Sequence, residues 1–204
     1  MRKTKEEAEI TRKKIIKTAI KIFSKNGYTA TKLEEIAKKV GVTRGAIYWH
    51  FKNKQELFSA ICKENQSKMM ATIEQIKAEG HPPLAALKKG MITILDKFES
   101  DKEFREIEEL LFKTQITGQY KYIKPNSKVG DEPGLSALLD ILTAAKSDGT
   151  LRKDLSPESV TYAIASFFFG IMSFWFINPS AYSMKEKADE FIDIFLHGIE
   201  INKK

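Results

Sequence analysis

Cysteine is nearly absent from this chain. Cys62 is the only one in 204 residues, so an intramolecular disulfide is impossible and a cysteine-rich zinc or iron–sulfur site is excluded. Histidine is almost as scarce. His50, His81 and His197 lie far apart in sequence and form no His-Glu-x-x-His arrangement. A glycine-rich phosphate loop and a Gly-x-Ser-x-Gly turn are also missing. No catalytic residues, metal ligands or cofactor are therefore expected, and an enzyme is a poor reading of the chain. The opening residues, MRKTKEEAEITRKK, place no apolar core behind their positive charges, unlike a secretory signal. With the unpaired cysteine, this predicts a reducing, cytoplasmic location. Strand-type alternation, internal repeats and low-complexity tracts are absent as well.

Long hydrophobic runs are missing with one exception. No charge occurs from Ser159 to Met184, and Val160–Ile177 reads VTYAIASFFFGIMSFWFI. Eighteen mostly apolar residues reach the lower edge of transmembrane length. Thr161, Ser166 and Ser173 dilute the run, Pro179 follows it closely, and no second candidate exists. The better expectation is no membrane insertion but a helix buried on nearly all sides, partly by a second subunit.

The charge that is present is unevenly placed. Residues 1–60 carry 15 Lys/Arg against 6 Asp/Glu, a formal +9, while residues 61–204 carry 19 against 21. The whole-chain +7 therefore belongs to one end. Such asymmetry points to a polyanion held by the first segment and a different task for the remainder.

Apolar residues recur at helical spacing throughout, so the fold class is all-α. The pattern predicts helices over Thr11–Asn26, Lys32–Val40, Arg44–His50, Lys54–Lys77, Leu84–Ser100, Phe104–Thr117, Leu135–Lys146, Glu158–Ile177 and Ser183–Gly198. Gly27 and Gly41 stop the first two. Thr31-x-x-Glu34 has the spacing of a capping box, and Thr43 can cap the next helix. Gly80-His81-Pro82-Pro83 marks a break, and Pro157 suits a helix start because no backbone donor is needed there. Two domains follow: a helix-turn-helix DNA-binding domain over 1–54 and a larger helical domain over 55–204.

Two short helices joined at Gly41 within about 20 residues form a helix-turn-helix, whose second helix enters the major groove. Double-stranded DNA is therefore the expected polyanion. Leu33, Ile36, Ala37, Val42 and Ile47 are assigned to the core. Thr43, Arg44, Gly45, Tyr48, Trp49 and His50 are left for DNA. The guanidinium fork of Arg44 matches guanine O6/N7, and Gly45 permits close backbone approach. Tyr48 and His50 suit phosphate or sugar, and Lys52 and Lys54 suit phosphate. Thr31 and Lys32 open the preceding helix, whose end can meet a phosphate. Tyr48 and Trp49 are adjacent on a helix, so one of them is a candidate for the core.

Residues 11–61, TRKKIIKTAIKIFSKNGYTATKLEEIAKKVGVTRGAIYWHFKNKQELFSAI, resemble the TetR family of transcriptional repressors, and within it the drug-efflux subgroup. The G-V-x-x-G-x-I-Y-x-H-F block followed by K-x-x-L carries the likeness. The resemblance implies three helices forming a DNA-binding domain and the rest forming a ligand-binding and dimerising domain. Transferred by position, the family's DNA contacts fall on Thr31, Lys32, Thr43, Arg44, Gly45, Tyr48, Trp49, His50 and Lys54.

Beyond residue 60 the aromatics concentrate: 15 of 21 lie there, eight of them in Tyr162–Tyr182. Phe167-Phe168-Phe169 and Phe174-Trp175-Phe176 point around a helix, so some must meet another surface. A partner subunit and an apolar ligand cavity are the two surfaces available. Val160, Ile164, Phe168 and Ile171, with Phe191, Ile192, Phe195 and Leu196, suggest stripes for a four-helix homodimer bundle. Phe98, Phe112, Phe168 and Trp175 are the candidate apolar contacts for a small apolar or amphipathic effector, with Glu109 or Gln115 supplying polarity. The leading function is a ligand-responsive repressor that binds pseudo-palindromic operator DNA as a dimer. The alternative is a DNA-binding adaptor or architectural protein without an effector, its aromatics buried at protein interfaces.

Overall fold

The computed structural model describes residues 4–118 and 133–201. Among these residues it holds nine helices and no strand longer than one isolated bridge, Leu151 with Glu200. The expected all-α class is thus the observed one. Numbered in chain order, the helices are α1 (Lys5–Asn26), α2 (Leu33–Val40), α3 (Arg44–His50), α4 (Lys54–Ala78), α5 (Pro83–Ser100), α6 (Lys102–Ile116), α7 (Pro133–Ser147), α8 (Pro157–Ile177) and α9 (Met184–Ile199). They divide into two compact units that are not consecutive in sequence. The first comprises residues 1–65 with 106–126, the second 66–105 with 127–204.

In the first unit, α1 begins six residues before its apolar periodicity does. Thr4 Oγ1 accepts from the Glu7 backbone N–H at 3.2 Å, and the Glu7 carboxylate accepts from the Thr4 N–H at 2.8 Å. This reciprocal cap satisfies two donors that a helix start otherwise leaves open. The capping box expected at Thr31 does not form. Lys32 is the N-cap of α2 and makes no side-chain cap bond. Thr31 is buried and turns its hydroxyl back to donate to Gly27 O at 2.8 Å, closing the loop before α2. A Thr-x-x-Glu spacing cannot tell a forward cap from a backward loop tie.

Gly41 takes the left-handed conformation, φ 80° and ψ 31°. The N–H of Val42 then reaches Ala37 O at 3.0 Å and that of Gly41 reaches Lys38 O at 3.3 Å. These paired bonds satisfy the last carbonyls of α2 and turn the chain sharply into α3. Thr43 Oγ1 accepts from Ala46 N at 3.1 Å and starts α3, as its position predicts. One core gathers all of this: Ile15, Phe23, Ile36, Ile47, Phe51, Leu57, Phe58 and Ile61 are buried together. Ile107 and Leu110 of α6 belong to the same core.

The second unit has its own core, built around Leu87, Met91, Leu95 and Phe98 of α5, Leu142 of α7, Val160 and Ile164 of α8, and Ile192 of α9. Helix α5 packs most extensively on α9, and also on α7. Ser156 and Ser183 cap α8 and α9 by accepting from Ser159 N and Glu186 N. Lys88 of α5 bridges Asp189 and Asp193 of α9 at 3.0 and 2.7 Å.

Candidate nucleic-acid interface

Helix α3 has only seven residues, and its inward stripe is narrow. Ile47 and, one turn on, Phe51 are fully buried, the i, i+4 spacing that stacks two side chains on one face. Apart from the half-buried Ala46, the rest of α3 faces outward. Thr43, Arg44, Gly45, Tyr48 and Trp49 are exposed and His50 is half-buried. The expectation that Tyr48 or Trp49 would enter the core is corrected: Trp49 is 74% and Tyr48 38% exposed. Adjacent residues lie about 100° apart, and both fit the wide outer arc when Ile47 and Phe51 alone anchor the helix. His50 stands edge-on to Trp49 at 4.6 Å.

Glu34 of α2 organises the outer face, a role that sequence reasoning missed. Its Oε1 accepts from the Tyr48 hydroxyl at 3.0 Å and lies 3.4 Å from Arg44 Nε. The Arg44 guanidinium in turn lies 5.7 Å from the Tyr48 ring centroid. A backbone hydrogen bond, then the Tyr48 hydroxyl, then nearby Arg44 and Lys32, hold the Glu34 carboxyl below its ordinary range. Arg44 is still highly exposed, and solvent screens a pair of this kind strongly. The fork is therefore oriented but readily exchanged for a stronger bidentate acceptor. The pairing joins residues ten and fourteen apart on different helices, so no periodicity announces it.

Gly45 is unusual among the residues expected to read DNA because the fold does not require a glycine there. Its φ is not positive, and a Cβ built there would meet nothing closer than Thr43 Oγ1 at 4.0 Å. The absent side chain leaves open space on the exposed face.

Lys32 is exposed, as are Lys13, Lys14, Lys17 and Lys21 along α1. Thr31 and Lys54 are engaged internally. Lys54 Nζ donates to the carbonyls of Tyr28, Thr29 and Thr31 at 2.6, 2.9 and 2.9 Å and sits 4.6 Å over the Tyr28 ring. An ammonium has three protons. All three are spent on the loop before α2, and desolvation lowers the Lys54 pKa. The geometry thus moves Lys54 from the phosphate contact expected of it to a clamp on the loop that precedes α2. Arg12 makes a comparable unforeseen contact, with its guanidinium 5.2 Å from the Phe51 ring.

The candidate effector residues fall in both units. In the second, Phe98 is buried with Trp175 edge-on at 5.2 Å and Phe176 at 5.1 Å. Phe168 is half-buried and contacts Phe167 at 6.5 Å. Arg105 lies 5.8 Å from the Trp175 ring while donating to the carbonyls of Phe98 and Glu99. Trp175 Nε1 is buried without an acceptor. In the first unit, Glu109 pairs with Lys113 at 2.6 Å, Phe112 is half-buried and Gln115 is exposed. An open cleft of about 340 Å³ in the second unit is lined instead by His81, Ala85, Lys88, Lys89, Ile92 and Thr93. No group of three or more metal-ligating side chains occurs among the described residues.

The expected dimer stripes need correction. Val160, Ile164, Ile192 and Leu196 are spent inside the chain's own core. The exposed large apolar residues of α8 and α9 are Tyr162, Phe169, Phe174, Ile177 and Ile194. Only 28% of the most apolar stretch of α8 is buried within the chain.

Two family models match the sequence. The one described as bacterial regulatory proteins, tetR family, covers residues 15–61, and the one described as MAATS-type transcriptional repressor, C-terminal region, covers residues 82–201. The chain is 31% identical over 198 residues to the HTH-type transcriptional regulator AcrR of Shigella flexneri, spanning 96% of this chain and 92% of that one. Its fold is similar to that of NalD, the secondary repressor of the MexAB-OprM multidrug efflux pump in Pseudomonas aeruginosa. There the TM-score is 0.81 at 22% identity, over 96% of this chain and 99% of that one. It is also similar to a structure of SmeT in complex with triclosan, with a TM-score of 0.76 at 24% identity over 95% and 93% of the two chains.

Proposed function

Since the chain belongs to the TetR family of bacterial regulatory proteins, DNA-binding transcriptional regulators rather than enzymes, we propose that it represses transcription by binding a pseudo-palindromic operator as a homodimer and is released by a small apolar or amphipathic molecule. The outer face of α3 carries this reading. A helix anchored by Ile47 and Phe51 leaves Arg44, Gly45, Tyr48 and Trp49 outward beside a basic α1. In this division of labour, residues 1–54 read DNA and residues 55–204 dimerise and bind the effector. Arg44 reads a guanine through its fork, Gly45 lets the helix backbone approach, and Tyr48, Trp49 and His50 meet sugar and phosphate. Thr43, Lys32 and the Thr31 backbone lie at the helix starts, where phosphate is favoured.

Dimerisation fits the apolar face of α8 and α9. Tyr162, Phe169 and Phe174 are too large and too exposed for a lone subunit, and covering them in a four-helix bundle follows ordinary helix packing. A two-fold dimer presents two α3 helices to half-sites about 34–36 Å apart, or a multiple of that. For release, the effector must bind the DNA-incompetent arrangement more tightly than the competent one. The aromatic cluster of Phe98, Trp175 and Phe176 suits an apolar body, and Trp175 Nε1 offers it a donor. The relatives support this reading: NalD is described as the secondary repressor of a multidrug efflux pump, and SmeT has been solved in complex with triclosan.

The test is a reciprocal titration. Calorimetry of triclosan, run with and without a duplex selected from a random pool by the protein, should show DNA weakening the ligand by the same factor that ligand weakens DNA. Equal ligand affinities in both titrations rule triclosan out as an inducer. Failure to enrich any duplex refutes the repressor reading.

A further inference from the structure

Glu34 brings a negative charge to a surface otherwise suited to DNA. It lies in the first turn of α2, where the helix dipole favours an anion, but Glu35 beside it meets that need equally. The core does not use it either, because Leu33, Ile36 and Ala37 are the buried residues of α2. What distinguishes Glu34 is its partners. The Tyr48 hydroxyl donates to Oε1 at 3.0 Å, and Arg44 Nε lies 3.4 Å from the same oxygen. On a surface that only had to attract phosphate, a carboxylate here would weaken binding, since like charges brought together oppose association. Its consequence depends on which acceptor Arg44 meets. Guanine O6 and N7 are neutral, whereas phosphate oxygens are anionic. When Arg44 moves onto a guanine, Glu34 is left beside a neutral base edge and keeps the Tyr48 hydroxyl. When Arg44 moves onto a phosphate, it draws a second anion up to Glu34. The first exchange is easy because the pair is loose: 3.4 Å exceeds the ~2.7–2.9 Å of a charge-assisted hydrogen bond. The second sets carboxylate against phosphate.

We propose that Glu34 is a specificity-determining residue that acts through Arg44, yielding it to a guanine edge and withholding it from phosphate. This rests on the repressor reading, with Arg44 as the guanine reader. Discrimination needs an element that opposes the wrong site as well as contacts that favour the right one. Arg44 supplies the contact and Glu34 the opposition. Tyr48 holds the arrangement together, since its hydroxyl fixes the carboxylate while its ring lies 5.7 Å below the guanidinium. On random DNA the paired Arg44 adds no net charge toward the backbone, so non-specific binding is left to the lysines.

The experiment follows the full-length protein by fluorescence anisotropy on a duplex it selects from a random pool and on a random duplex of equal length, across about 50–200 mM KCl. Glu34→Gln keeps the side chain's shape and an acceptor for Tyr48 but removes the charge. Arg44 is then free for phosphate, so log K against log salt on the random duplex should steepen by about 0.9. Taken from about 1 M down to about 0.1 M salt, that slope makes random binding roughly eightfold tighter than in the wild type. Affinity for the selected duplex should change far less, so the ratio of selected to random affinity falls. Glu35→Gln is the control. It removes the same charge one residue on, but Glu35 accepts from Asn26 Nδ2 at 2.8 Å, and the ratio should not move. In an Arg44→Ala background, adding Glu34→Gln should no longer steepen the slope. An unchanged ratio in Glu34→Gln overturns the proposal. An equal fall in Glu35→Gln overturns it by assigning the effect to net charge. Equal steepening without Arg44 overturns it by setting Glu34 against phosphate on its own. Enrichment of no duplex refutes the repressor reading, while the random-duplex slopes still decide whether Glu34 withholds Arg44 from phosphate.

Discussion

Replacing Gly45 with alanine should make the protein more stable and worse at its task. Glycine in a helix is less stable than alanine by roughly 0.5–1 kcal/mol, because the unfolded chain has more freedom to lose. Gly45 sits in the first turn of α3, so the lower end of that range applies, about 0.5 kcal/mol. Nothing offsets the gain. The backbone is not in a positive-φ conformation, and the new methyl group meets only Thr43 Oγ1 at 4.0 Å, an ordinary contact. For a chain of this size, 1 kcal/mol corresponds to a shift of about 2–4 °C in Tm, so the variant should melt about 1–2 °C higher. On DNA the same methyl group occupies the space through which the helix backbone approaches the duplex. Losing that fit should weaken operator affinity by tenfold or more, about 1.4 kcal/mol. Scanning calorimetry gives the first number and fluorescence anisotropy on a selected duplex the second. An alanine variant that melts higher and binds the operator as well as the wild type refutes a close approach at Gly45. A variant that melts lower refutes the account of the free helix.

Arg44→Ala should cost ~1–3 kcal/mol of discrimination between operator and random duplex, read from paired anisotropy titrations. Its loss should barely alter the melting temperature, because the ion pair to Glu34 is exposed. Lys54→Ala should lower the Tm, since three loop carbonyls lose their donor, while the slope of log K against log salt stays unchanged; a slope reduced by about one would restore Lys54 to a phosphate. Phe174→Glu on the exposed face of α8 should give a monomer in sedimentation equilibrium at micromolar concentration, with helix content retained in circular dichroism. Burial raises the Glu108 pKa, so the folded state holds this proton more tightly than the unfolded one; stability is full below the ordinary carboxylate range and is lost as pH rises through the folded pKa. Thermal melts across that interval should slope downward for the wild type relative to Glu108→Gln, and parallel curves would contradict the burial.

How much of this was legible in the sequence depended on the range of the interaction. Helix α3 was readable to the residue, because its start at Thr43 and its end near His50 are set by local chemistry: a hydroxyl cap, and an aromatic at position 51 turned inward. The start of α1 was equally local but lay outside the apolar periodicity, so Thr4-x-x-Glu7 passed unnoticed while the same spacing at Thr31 was over-read. Glu34 and Lys54 show the opposite limit. Their partners lie ten to twenty-six residues away, and only the folded head brings a carboxylate to Arg44 or an ammonium to the Tyr28 loop. The α8 stripe failed for a related reason. A helix apolar all round carries no mark of which face meets its own core and which a partner, and Val160 and Phe169 read alike until α7 and α9 are in place.

A helix-turn-helix of this size has little freedom to respond to a ligand by itself. Its interior is one close-packed cluster, and such interiors shift between discrete packings rather than deform continuously. That cluster is not closed within residues 1–54. Leu57, Phe58 and Ile61 come from α4, and Ile107 and Leu110 come from α6, more than a quarter of the chain further along the sequence. These two helices also continue into the second unit, α4 from residue 66 and α6 before residue 106. Ile36, Ile47 and Phe51, the residues that fix where α3 points, therefore share one packed interior with side chains of α4 and α6. A coupling of ~1–3 kcal/mol is ordinary for two linked sites. Repacking one or two buried aliphatic side chains costs as much. The energy needed for control is thus of the size that a single misplaced α6 contact can supply, and the reading helix needs no hinge of its own.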